Sequence, residues 1–122
     1  MTGESRGTGS GRGVGAEPGS DADRAAIEAI RGRPLARVWP EGALAAGTRV
    51  TVVRDREWGG PWRAEFRGVV DAMGAPEPVT DSRAEEGELA YWVAFDEPQY
   101  DSDGGGPYRK ALVRARYLRP LR

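Results

Sequence analysis

The sequence predicts an all-β fold, a small five-stranded barrel, with one short helix ahead of it. Two observations carry that reading. From Gly47 onward, apolar residues recur at every second position in separated runs, the period of a half-buried strand. Between Ser20 and Gly32 the chain instead carries the start and stop signals of a helix.

The chain has 122 residues, the size of about one domain. Residues 1–19 form a Gly/Ser/Arg/Thr tract whose only apolar groups beyond Met1 are Val14, Ala16 and the carbons of Pro18. That is too little to offset the entropy of ordering, so a disordered arm is expected over 1–19. A helix and connector follow over 20–46, and the barrel over 47–122. The part from Leu35 onward is short enough to bury only roughly 60–65% of its unfolded surface, so a thin core is expected.

The helix is expected from Asp21 to Arg31. Ser20 is its N-cap, with Asp23 three positions on in a capping-box relation, and Gly32 is its stop. Asp21 and Asp23 suit the positive helix end. Ile27, Ile30 and Ala26 give a narrow apolar stripe. Eleven residues are marginal alone, so the helix requires something to dock on. Pro34 and Pro40 bracket a connector that Leu35, Val38 and Trp39 can anchor.

Gly47–Asp55 reads as the first strand, with Val50 and Val52 on one face. Arg56–Trp62 is a turn-rich loop carrying Trp58 and Trp62. Glu65–Met73 is the second strand, where Phe66, Gly68, Val70 and Ala72 alternate with Arg67, Val69 and Asp71; Gly68 marks a sharp bend. Gly74–Glu88 is a long acidic connection. Leu89–Asp96 is the clearest strand: Leu89, Tyr91, Val93 and Phe95 face one side, Ala90, Trp92 and Ala94 the other. Glu97–Pro107 is a second acidic loop, Tyr108–Val113 a fourth strand, Arg114–Tyr117 a single 3₁₀ turn, and Leu118–Leu121 a last short strand. The expected core is Val50, Val52, Phe66, Val70, Leu89, Tyr91, Val93, Phe95, Ala111, Val113 and Leu118.

Taken together, "GTRVTVVRD", "FRGVV", "YWVAFDE" and "ALVRARYLRPL" resemble the SH3-like small β-barrel superfamily over about Gly47 to Leu121. A Gly-x-x-Val opens the first strand, a Gly-Val pair sits in the second, and a 3₁₀ turn precedes the closing Tyr-Leu. The resemblance implies a five-stranded SH3-like barrel. It leaves function open among peptide-binding modules, nucleic-acid-binding Tudor and KOW-type modules, and the small A component of bacterial ferrous iron transport. "LAAGTRVTVV" is similar to the strand opening of the last, and the long acidic loops depart from its compact pattern.

Composition narrows the chemistry. The chain has no cysteine and no histidine. That excludes disulfides, thiolate or imidazole metal sites, and Cys–His or Ser–His–Asp nucleophiles. No apolar run approaches the roughly 18–20 residues of a membrane span, and Arg6 and Arg12 precede no hydrophobic segment. A cytoplasmic location without membrane insertion is expected. Gly11, Gly13 and Ala16 have a G-x-G-x-x-A spacing, but no strand precedes them, so no dinucleotide cofactor is expected. Asp101–Gly104 echoes a calcium loop, yet Leu112 stands where the closing glutamate belongs, so no metal is assigned. Acidic neighbours such as Asp96 and Glu97, or Glu85 and Glu86, define no cleft, and no catalytic residue is assigned: the expectation is a protein that is not an enzyme.

The charge is unevenly spread. Asp71–Asp103 is strongly acidic, with Arg83 its only base, and Pro107–Arg122 is basic without an acid. An internal pairing of the two explains this better than a phosphate-binding face of Arg109, Lys110, Arg114, Arg116, Arg119 and Arg122. Aromatic residues supply the candidate partner-binding site. Trp58, Trp62, Trp92, Tyr100 and Tyr108, with Asp96, Glu97 and Asp101, suit an aromatic groove rimmed by acids for a cationic or proline-rich segment. In the other reading the same rings cover the barrel ends or receive the N-terminal helix. In a meander, the loops after the first and third strands leave from one end, which should bring Trp58 and Trp62 towards Asp96, Glu97, Tyr100 and Asp101. The expected function is thus a non-catalytic binding or adaptor module for a protein or peptide. A membrane transporter's cytoplasmic domain is one such partner, under the iron-transport alternative; a nucleic acid is the less favoured one.

Overall fold

The computed structural model describes residues 20–54 and 61–121. The glycine-rich arm, the loop tip with Trp58, and Arg122 lie outside these residues.

Ser20 does what its place before an acidic first turn suggests. Its Oγ accepts the backbone N–H of Asp23 at 3.1 Å and opens helix α1, Asp21–Arg31. Gly32 closes the helix in the left-handed region at φ 74°, donating its N–H to the Glu28 carbonyl. None of the helix residues is fully buried, and Ile30 is 84% exposed. The expected Ile27–Ile30 stripe is reduced to Ile27, because Ile30 faces away from the sheet.

Six strands follow: β1 (Arg49–Val52), β2 (Phe66–Val70), β3 (Glu77–Pro78), β4 (Leu89–Gln99), β5 (Tyr108–Arg114) and β6 (Leu118–Pro120), with a 3₁₀ turn at Ala115–Tyr117 before β6. All pairings are antiparallel. β1 pairs with β2 and β6, β2 with β4, and β4 with both β3 and β5. The eleven-residue β4 is the spine. The carbonyls of Trp92 and Glu88 accept from Asp71 and Val79, so β2 and β3 lie end to end along one edge of β4 and β5 takes the other. The sheet curls into an antiparallel half-barrel.

Alternation decides which side chains enter the concave side. Val50 and Val52 from β1, Phe66 and Val70 from β2, Tyr91, Val93 and Phe95 from β4, Val113 from β5, and Leu118 with Tyr117 form one buried cluster. Leu89 and Ala111 are half-buried against it. Each fully buried Val, Leu or Phe contributes about 1.5–3 kcal/mol relative to exposure. The connector closes one mouth: Trp39, Ala43 and Leu44 pack on this core, Trp39 Nε1 donates to the Leu44 carbonyl at 3.0 Å, and Leu44 N–H donates to Tyr91 Oη at 2.9 Å.

Gly68 is there for proximity. A Cβ at this position would lie 2.6 Å from the Ala94 carbonyl oxygen and 2.9 Å from Val93 Cγ1, so β2 and β4 approach too closely for any side chain. The convex side carries a second cluster. Leu35, Met73 and Trp92 are buried there, with Ile27 of α1 packed against them. The helix therefore lies on the outside of the sheet, over Trp92. Among the described residues, no helix is long and apolar enough to cross a membrane.

Candidate functional site

The chain entering β2 and the β4–β5 hairpin meet at one end of the half-barrel. Trp62 forms an isolated antiparallel bridge with Asp101, Arg63 N–H donates to the Tyr100 carbonyl at 3.1 Å, and Ser102 N–H donates to the Pro61 carbonyl at 2.8 Å. Meander connectivity sends both segments to this end, and these backbone bonds fasten them together.

Trp62 is wedged, half-buried, into the end of the core. Its ring meets Phe66, Phe95 and Tyr108 at centroid distances of 5.4, 5.2 and 5.7 Å, each nearly perpendicular. Edge-to-face contacts of this kind add about 0.5–1.5 kcal/mol each beyond burial. The body of Trp62 is thus core, and its neighbours carry the exposed part of the surface. Tyr100 is 43% exposed and Tyr108 40% exposed. The Arg63 guanidinium lies 5.5 Å from the Tyr100 ring centroid, so a cation from the same chain occupies one face of that ring.

Asp101 organises the hairpin. One carboxylate oxygen accepts from the backbone N–H of Gly105 at 2.7 Å and of Asp103 at 2.9 Å, and the other accepts from Tyr108 Oη at 3.2 Å. The Gly105 N–H bond is the largest cause holding the Asp101 carboxyl below its ordinary range, with Tyr108 and Asp103 adding to it against burial. Reciprocally, the Asp101 carboxylate raises the Tyr108 phenol. The glycines make this geometry possible. A Cβ at Gly105 would meet Asp101 Oδ2 at 2.7 Å, and Gly104 and Gly106 take φ of 88° and 126°. "DSDG" is accordingly an aspartate-anchored turn, its first carboxylate spent on backbone N–H groups and a tyrosine.

Of the expected site residues, the structure brings Trp62, Tyr100, Asp101 and Tyr108 together. Trp92 lies elsewhere. With Tyr91 and Val93 facing inward it must point outward, and there α1 covers it: it is 6% exposed, with the Arg31 guanidinium 5.7 Å from its ring. Asp96 is also on the outer face, in a two-pronged pair with Arg49 that includes a 2.9 Å contact. Glu97 is exposed on the strand beyond it. Trp58 is outside the described residues.

Two ion clusters escaped the sequence in detail. Glu88, its side chain only 4% exposed, accepts from Arg114 Nη2 at 3.0 Å and from Arg116 Nε at 2.9 Å, and Arg114 also reaches Asp81 at 3.2 Å. Hydrogen bonding to Arg116 is the main cause lowering the Glu88 carboxyl to about 2, against the opposing effect of burial. A surface cavity of about 420 Å³ opens beside this cluster, between Glu85, Glu86, Tyr91 and Ala115. On the outer face, Asp71 is fully buried and paired with Lys110, which also contacts Asp23 of α1 at 2.7 Å. The signal for the first cluster was the acidic connection set against the basic C-terminal run. For the second, only the position of the helix discloses it.

No family model, no curated protein and no solved structure matches this chain.

Proposed function

We propose that the chain is a non-catalytic binding module of the SH3-like small-barrel type, taking a protein or peptide segment at the joint between the Trp62 segment and the β4–β5 hairpin. The strand order supports the barrel type: β6 returns across a 3₁₀ turn to pair with β1, as β1, β2, β4 and β5 follow one another along the sheet. One observation carries the binding surface. Two exposed tyrosines, Tyr100 and Tyr108, are locked in orientation by Arg63, Trp62 and Asp101, with the exposed acid Asp103 on the same hairpin turn. Preoriented aromatic area next to negative charge suits an arginine- or lysine-bearing segment, each stacked cation contributing about 0.5–2 kcal/mol.

The cavity beside Glu88 fits this role less well, because its charges are spent on each other. The same pairing weakens a nucleic-acid reading: Arg114 and Arg116 serve Glu88, and Lys110 serves Asp71 and Asp23.

The test is a peptide array rich in Arg, Lys and Pro, followed by fluorescence anisotropy on the hits. Wild type should bind, and the double variant Tyr100→Ala/Tyr108→Ala should bind about tenfold more weakly, a loss of about 1.4 kcal/mol. Affinity that ignores both tyrosines would overturn the proposal. So would duplex-DNA or RNA binding with a steep salt slope that needs the C-terminal arginines.

A further inference from the structure

We propose that α1 is a detachable strap, and that its release turns the convex face around Trp92 into an open apolar surface. This rests on how the helix is held and is independent of the loop surface. An ordinary surface helix is docked by an apolar stripe over a hundred degrees wide. Here, among the described residues, Ile27 is the one apolar helix side chain packed on the Leu35–Met73–Trp92 cluster, and no helix residue is fully buried.

The remaining anchors are polar and lie along the whole helix. Near its start Asp23 contacts Lys110 Nζ at 2.7 Å, and Arg24 Nε donates to the Met73 carbonyl at 2.7 Å. Near its end Glu28 accepts the Leu35 N–H at 2.8 Å, and Arg31 forms a fork on Glu77 at 2.8 and 3.0 Å while lying over the Trp92 ring. Groups of this kind exchange protein partners for water when the helix leaves, so undocking forfeits little buried apolar area.

The seat itself also favours release. Trp92 Nε1 is buried and has no hydrogen-bond acceptor among the described residues, a donor that regains water once the helix lifts. Lys110 and Asp71 keep each other when Asp23 departs, so no lone charge is stranded. Gly32, in the left-handed region immediately after Arg31, is the hinge between the strap and the connector, which stays tied by the bond from Ala75 N–H to the Ala36 carbonyl at 2.8 Å. The uncovered surface would present Trp92, Met73 and Leu35.

Hydrogen exchange on the full chain tests this, comparing wild type with Asp23→Asn/Glu77→Gln. Acrylamide quenching is read in a Trp39→Phe/Trp58→Phe/Trp62→Phe background, so that Trp92 alone reports. In the double variant, amides of residues 25–32 should lose at least about tenfold in protection and Trp92 should become accessible to quencher, while amides of β1, β2 and β4 keep wild-type protection. If the tryptophan background fails to fold, exchange alone decides. The proposal is overturned if the helix amides stay as protected as those of β4, or if they lose protection only in step with the whole sheet.

Discussion

Glu88→Gln isolates a carboxylate that two arginines share at the edge of the sheet. The Glu88 carboxylate is shared between Arg114 and Arg116, whose side chains are 22% and 29% exposed. Its carboxyl is lowered from 4.5 to about 2. A group with a depressed folded-state pKa contributes stability that is fully present above the unfolded value and lost as pH falls through the folded one. The window is therefore pH 4.5 down to about 2. The gap corresponds to about 3 kcal/mol at face value, and solvent screening on the partly exposed guanidinium side reduces this to about 1–2 kcal/mol. At pH 7 the variant also leaves two guanidinium groups facing each other, so a loss of about 2–4 kcal/mol is expected there. The assay is urea unfolding at pH 7, 5, 4 and 3, monitored by circular dichroism, with midpoints compared at constant slope. Wild type should lose about 1–2 kcal/mol more between pH 5 and 3 than Glu88→Gln does. Equal acid sensitivity in the two proteins would refute the assignment of this titration to Glu88.

Other substitutions read separate parts of the structure. Gly68→Ala drives a methyl against the Ala94 carbonyl oxygen at 2.6 Å and should cost about 1–3 kcal/mol by thermal unfolding. Val93→Ala, at a fully buried position, should cost about 1–3 kcal/mol in urea unfolding. Trp62→Ala removes three edge-to-face partners and should cost about 3–5 kcal/mol, whereas Tyr100→Ala, on the exposed side of the same joint, should stay within about 0.5 kcal/mol in the same assay. Arg49→Met breaks the exposed pair with Asp96 and should move stability by less than about 1 kcal/mol, measured at low salt where the pair counts most.

The inner face of the sheet was legible because it obeys a local rule. Tyr91, Val93 and Phe95 alternate, and the concave side has only one possible filling, so parity alone names its residues. The helix was legible for a similar reason: Ser20 and Gly32 satisfy its ends through neighbours a few residues away. β3 was not anticipated, since two residues ending in a proline carry no period; its pairing is supplied by the length of β4. Gly68 was read as a bend, and the neighbour that forbids a side chain there, the Ala94 carbonyl, is distant in sequence. The joint of Trp62 with Asp101 followed from counting strand ends, a topological argument that needs no side-chain detail.

The outer face obeys no such rule. Parity says that Asp71, Trp92 and Lys110 point outward; whether outward means wet depends on what the rest of the chain lays over them. Trp92 reads as a groove residue if that face is open and as a seat if a helix rests on it. Asp71 and Lys110 make the distinction concrete. Two residues that look like solvated surface are nearly or fully inaccessible, and Asp23 arrives from the helix to join their cluster. The chain has 18 basic residues and Lys110 is its one lysine. A compact ammonium with three donors fits between two carboxylates, where a planar guanidinium fork would need more room. The enclosure of that ammonium between two carboxylates is completed only when α1 folds onto the sheet, so it is a property of the packed chain and not of any local stretch of sequence.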